Sequence, residues 1–262
     1  MPEFLFHLPF PLAALLIIAG LACYALCGLA ITRRWILPRM QVQPDDSDFT
    51  GAMVQAVMVF YGLAVALVAV SVWETHADIS DKVSEEASRI GGLYRDVSGY
   101  PGPTRAELQG ELLGYTNYLI TEAWPLQNEG KPATRGVEWM NRLQATLSTF
   151  EPRTDGQNCL HGETLAAFNR LVEARRLRLD SMSTRLPPEL WFIINFGACV
   201  SLAATFFFKV RDARLHAVQI LLLAVFVGLV ISMILAFDRP FLGDLGIGSE
   251  PYQVVRDQLM KP

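Results

Sequence analysis

The chain has 262 residues, of which 52% are hydrophobic and only 18% charged. Soluble domains carry about 25% charged residues, so the composition excludes an ordinary soluble fold, and with it disorder, a collagen-like chain and a disulfide scaffold. The net charge of −4 leaves no global basic field for nucleic acid.

Four apolar blocks follow in chain order, at about 9–31, 51–73, 190–208 and 217–237, and none contains Asp, Glu, Lys or Arg. Each is near the roughly 20 residues a helix needs to cross about 30 Å of hydrocarbon. The first has no basic stretch before it and is followed by Arg33 and Arg34, so it reads as a retained span rather than a secretion signal. Basic residues set an orientation: Arg33, Arg34 and Arg39 follow the first span, and Lys209, Arg211 and Arg214 separate the third from the fourth. The positive-inside rule puts both loops in the cytoplasm, and the termini and segment 74–188 outside.

Segment 74–188 reads as helical. Ile79, Val83, Ala87, Ile90, Tyr94 and Val97 recur at spacings of three and four, as one helix face requires. No Gly or Pro separates this stripe from the second span, so one helix is expected from Thr50 to about Ser98, about 70 Å long. Pro101-Gly102-Pro103 stops it. Thr104 and Glu107 read as a capping box for a second helix ending near Trp124-Pro125. A third helix is expected over 135–150 and a fourth from about Cys159 to Leu186, where Pro187-Pro188 ends it. In that last helix Leu165, Phe168, Val172, Arg175, Leu179, Met182 and Leu186 form a heptad-like seam. A buried Arg175 would need a carboxylate partner.

The expectation is therefore an all-α protein with four transmembrane helices and a helical domain inserted between the second and third. Its parts are 1–49 (first span and basic loop), 50–73 (second span), 74–188 (extramembrane helices), 189–237 (third and fourth spans) and 238–262 (tail).

Hydrolase, metalloprotease and nucleotide-loop signatures are absent: there is no GxSxG, HExxH or P-loop. Gly243, Gly246 and Gly248 follow a membrane helix rather than a strand, so they read as a turn. The four cysteines and four histidines are scattered, without zinc spacing; no enzyme activity, cofactor or metal is expected. The spans hold no ionisable carboxylate or base for coupled transport. A passive pore needs none, since apolar rings can gate by dewetting.

The second span is the pore candidate. Its many small residues (Gly51, Ala52, Ala56, Gly62, Ala64, Ala66, Ala69, Ser71) are interrupted by Phe60 and Tyr61; by composition alone, plain helix packing is the more common reason for such small residues. Beyond it Glu74, Asp78, Asp81 and Glu85 share one helix side. In a symmetric pore they become acidic rings that favour cations. Arg175 and Arg178 offer the opposite field, drawing anions if they face the pathway; spacing does not decide between the two.

The chain resembles the bacterial membrane family called bestrophin-like. The matching residues are Glu86-Ala87, Leu93-Tyr94-Arg95, Trp124, Pro187-Pro188-Glu189-Leu190-Trp191 and Phe237-Asp238-Arg239-Pro240-Phe241-Leu242-Gly243, in order from about Gly51 to Tyr252. More remotely it is similar to bestrophin ion channels. That resemblance implies a homopentamer in the bacterial inner membrane, passing monovalent ions, chloride foremost, through a hydrophobic neck on the second span. By position the neck is Val57, Phe60, Tyr61 and Ala64. It also implies a cytoplasmic helical domain, in conflict with the orientation the arginines give. After Phe241 only Asp244 and Glu250 are acidic, so the calcium clasp of gated bestrophins is not expected.

Physically, Pro240 ends the last helix, Arg239 reaches interfacial phosphates, Phe241 serves as an apolar plug, and Trp73 and Trp191 anchor span ends. Asp238 opens this turn. Partners are expected to be membrane lipid, further copies of the chain and ions. The rival reading is a non-conducting membrane scaffold whose helical domain binds a protein or lipid.

Overall fold

The computed structural model describes residues 3–39, 46–208, 210–243 and 245–260. Lys209 and Asp244, used above for the orientation and the calcium argument, lie outside the described residues. Among these residues all regular structure is helical, and four helices are long and apolar enough to cross a membrane.

The chain divides into two compact units. The first, a membrane unit, comprises Met1–Thr75 and Arg185–Arg239. It holds α1 (Phe10–Ile31), the first half of the 51-residue α2 (Asp46–Asp96), α7 (Pro188–Thr205) and α8 (Ala213–Asp238). Prolines start two of these helices: Pro11 stands in the first turn of α1 and Pro188 in that of α7, where no N–H is missed and φ is already helical. Asp212 caps α8, its Oδ1 accepting from Arg214 N at 2.8 Å and Leu215 N at 3.4 Å.

α1 packs lengthwise on α8. Gly228 permits this: a Cβ there would lie 3.1 Å from the Ile18 Cα, too close for any larger residue without backbone movement. Close approach through small residues is how helices associate in lipid. Ala25, Ala198 and Ala224 are fully buried in this unit, while Leu67, Phe192, Leu222 and Phe226 stay exposed.

The second, helical unit comprises His76–Thr184 and Pro240–Pro262. It holds the second half of α2, then α3 (Gly102–Tyr118), α4 (Trp124–Asn128), α5 (Gly136–Thr149), α6 (Asp155–Ser181) and α9 (Glu250–Leu259). The segment after Pro240 is thus part of this unit's core rather than a tail: Phe241, Tyr252 and Met260 are buried with Ile79, Val83, Ile90 and Leu93. Its turn forms as the glycines foretell, with Gly243 at φ 76° and Ile247 N donating to Pro240 O at 2.6 Å.

Three local expectations are corrected. Thr104 and Glu107 form no capping box, because α3 already starts at Gly102 behind Pro101 and its start has no side-chain cap; prolines in the first turn make an earlier start cheap. The helix does not stop at Pro125 either. A π turn over Leu119–Ala123 precedes α4, which carries Pro125 in its first turn, and the wider turn removes the clash and lost bond that proline brings to a regular helix. Finally, α6 begins at Asp155, with Thr154 Oγ1 accepting from Gln157 N, and its buried face coincides with the heptad seam only in part, at Phe168 and along the half-buried Leu165 and Met182. Thr164, Ala167, Phe168, Leu171, Ala174, Arg178 and Ser181 face inward, whereas Val172 is 37% exposed.

Candidate functional site

On the membrane half of α2, Phe60, Ala64, Leu67 and Ser71 are exposed, spaced four, three and four. They lie opposite the buried Val65, Ala69 and Val72, as helical geometry requires. Phe60 is 75% exposed. Tyr61 turns the other way: its hydroxyl donates to Ile194 O at 3.1 Å, and its ring fills the space where Gly197 lacks a Cβ. Val57 is half-buried and Ala64 open. Of the four expected neck residues, then, Phe60 and Ala64 share the free face, and Tyr61 is a packing residue on α7. Only 6% of the most apolar stretch of this span is buried within one chain, against 44% for α8.

Glu74 ends this stripe in the membrane unit, and it too is exposed. In the helical unit Asp78, Asp81 and Glu85 are exposed, opposite the buried Ile79, Val83, Ala87 and Ile90. Asp78 pairs with Lys82 at 2.7 Å and Glu85 with Arg89 at 2.9 Å. These are exposed pairs one turn apart, worth little in stability.

The basic candidates behave differently. Arg178 is 1% exposed and pairs inside the helical unit with Glu86, which is sealed completely. An arginine so enclosed borders no water-filled path, so the expected role at a pore mouth is corrected to a structural one. Arg175 is half-buried and lies against Gly136.

The Glu86–Arg178 pair is the polar centre of this unit. Tyr115 Oη donates to Glu86 Oε1 at 2.6 Å and Tyr252 Oη to Oε2 at 2.9 Å. Arg178 Nε donates to the same carboxylate and Nη1 to Gln127 Oε1 at 3.1 Å, while its guanidinium lies 5.4 Å from the Trp124 ring centre. Trp124 Nε1 in turn donates to Ile247 O at 2.9 Å. A carboxylate with three donors satisfies the demand of a buried charge. Burial raises the Tyr115 and Tyr252 phenols well above their ordinary value, and the Glu86 charge adds to this, with Arg178 opposing. Burial acts to lower the Arg178 pKa, but Glu86 and the two tyrosines hold it above the usual value.

Glu86, Tyr115, Gln127 and Tyr252 were not singled out by sequence reasoning as one site. A partial signal existed: Glu86 interrupts the apolar face between Val83 and Ile90, and a charge on an apolar face calls for a buried partner.

The turn after α8 is also reassigned. Asp238 accepts from Leu186 N at 2.5 Å and from Trp191 Nε1 at 3.0 Å, so Trp191 is buried rather than an interfacial anchor. Arg239 lies over the Phe6 ring at 4.5 Å. Pro240 is buried. Phe241 stands edge-on to Trp124 at 6.0 Å and is a core residue of the helical unit, not a membrane plug. Trp73 remains exposed, edge-on to Phe237.

A family model described as Bestrophin-like domain matches residues 19–252. No curated protein matches the chain, and no solved structure does.

Proposed function

We propose, from the premise that the chain belongs to the bestrophin-like family, that this multi-pass membrane protein is a homo-oligomeric ion channel whose pore is lined by α2. One observation carries the reading. The exposed residues Phe60, Ala64, Leu67, Ser71, Glu74, Asp78, Asp81 and Glu85 alternate at four and three along a single helix, apolar first and acidic after. Repeated about an axis, as in the pentamer that the family resemblance implies, Phe60 forms a dewetting ring and the acids form a mouth.

The small residues of α2 suit close contact with helices of further copies. Basic partners on Asp78 and Glu85 leave Glu74 and Asp81 to set the field. With Arg178 enclosed and Arg175 half-buried against Gly136, that field is negative, which favours small monovalent cations over the chloride of true bestrophins. The bacterial inner membrane is the proposed location.

Flux from liposomes holding the purified protein, with sodium and chloride gradients run separately, tests this. Phe60→Ala is expected to raise flux severalfold, and Glu74→Gln to lower the preference for sodium. No flux from folded oligomers across several pH and calcium conditions overturns the channel and leaves the scaffold reading. Flux unaltered by Phe60→Ala removes the neck from this position.

A further inference from the structure

In the membrane unit a long apolar groove ends at Thr205, close in the chain to the basic turn between α7 and α8. The groove, of about 570 Å³, is walled by α2 from Val54 to Ala66 and by α8 from Leu223 to Val230, and it reaches Thr205 at the end of α7. Along α2 it runs about 18 Å at 1.5 Å per residue. One leaflet of hydrocarbon is about 15 Å thick, half of the roughly 30 Å core.

The Thr205 end is basic and incompletely satisfied. Arg33 Nη2 donates to Val210 O at 2.8 Å, tying the end of α1 to the turn between α7 and α8. His216 Nε2 donates to Thr205 O at 3.2 Å, which leaves its Nδ1 as an acceptor in the neutral ring. Arg33 Nη1, His216 Nδ1 and Ser201 Oγ, the last one turn before Thr205, are all buried without a partner. His216 is 3% exposed. Arg34, next to Arg33 in the chain, and Arg211 and Arg214, on the turn that holds Val210 and the start of α8, are exposed. Asp212, on the same turn, is engaged as the cap of α8.

We infer that this groove binds an anionic glycerophospholipid, with an acyl chain along α2 and α8 and the phosphate on Arg33, flanked by Arg34, Arg211 and Arg214. A guanidinium fork matches phosphate oxygens, and basic residues at the membrane surface attract anionic headgroups. A helix from a second copy would fill the apolar groove but bring no counter-charge to the arginines, which favours lipid. The proposal does not depend on conduction.

The test uses full-length protein stripped of lipid in detergent. It is titrated with phosphatidylglycerol, with phosphatidylcholine of the same acyl chains, or with inorganic phosphate, and bound lipid is counted by native mass spectrometry. Phosphatidylglycerol is expected to be retained about tenfold better than phosphatidylcholine, with inorganic phosphate a poor competitor. Arg33→Gln removes the preference. Because Arg33 also braces the Val210 carbonyl, Arg214→Gln, at an exposed position, serves as the second variant and reduces the preference severalfold. Gly62 has open space before it, so Gly62→Leu fills the groove and lowers retention of both lipids. Equal retention of the two lipids, or a preference unmoved by both arginine variants, overturns the proposal. Full displacement by inorganic phosphate overturns the lipid in favour of a free anion. Disulfide cross-linking between copies through Gly62→Cys overturns it in favour of a subunit contact.

Discussion

In the membrane unit the helices meet through Ala25, Ala198, Ala224 and Gly228 and leave Phe60, Leu67, Phe192 and Phe226 outside. In the helical unit Ile79, Ile90, Leu108, Leu112, Tyr115 and Leu143 are inside, and the acids and bases, Glu86 and Arg178 apart, lie mostly on the surface. The contrast is the one that separates packing in lipid from packing in water. Lipid gives no reward for hiding large apolar side chains, so contact there rests on close approach. Water does reward it, by about 25 cal/mol for each Å² removed. The charged centre fits the same rule. A buried ion pair is tolerated in the helical unit because Tyr115, Tyr252 and Gln127 complete its hydrogen bonds.

Opening the charged centre should cost the helical unit most. Arg178→Ala leaves Glu86 buried without its counter-charge and is expected to cost about 3–5 kcal/mol, read as the loss of denaturant resistance in detergent. The double change Glu86→Leu with Arg178→Met removes both charges and should recover much of that loss. If the double variant is as unstable as Arg178→Ala alone, the pair is not what organises this core.

A smaller effect is expected from Tyr252→Phe, which removes one donor to a charged carboxylate, at about 1.5–3 kcal/mol. The same residues predict a pH response. Tyr115 and Tyr252 hold their protons more firmly folded than unfolded. Their contribution is therefore complete below the unfolded value of about 10 and declines as pH rises beyond it, by about 1.4 kcal/mol per pH unit for each phenol. Thermal melts above pH 10 should fall more steeply for the natural chain than for a variant with phenylalanine at both positions. Parallel curves would place these phenols in contact with water.

The two faces of α6 should respond differently to substitution. Val172→Lys, on the exposed side, is expected to change stability by no more than about 0.5 kcal/mol. Leu171→Ala, on the inner side, should cost about 2–5 kcal/mol. Equal losses would restore the heptad seam to the interior.

That seam shows where sequence reading of this chain reaches its end. Leu165, Val172 and Leu179 were weighed by apolarity, whereas the inner face of α6 is made of Thr164, Ala167, Ala174 and Ser181 around Phe168, Leu171 and Arg178. Small and polar residues pack inward because the neighbouring helices supply the bulk and the carboxylate, and a pattern of hydrophobicity along one helix contains neither. The neck had the same gap. Phe60 and Tyr61 are adjacent and equally aromatic, yet one is exposed and the other bonds Ile194 O. Only the position of α7 distinguishes them.

The amino-acid sequence by itself determined the all-helical class, four spans with their approximate limits, the continuity of α2 past the membrane and the family. Those depend on composition, on proline and glycine placement and on periodicity along one helix, which are local quantities. Tertiary structure alone decided that Arg178 belongs with Glu86, that Trp191 belongs with Asp238, and that the segment after Pro240 enters the helical core. These join residues 92, 47 and 166 positions apart in the chain, and a buried polar group is assigned its partner only when separate elements meet.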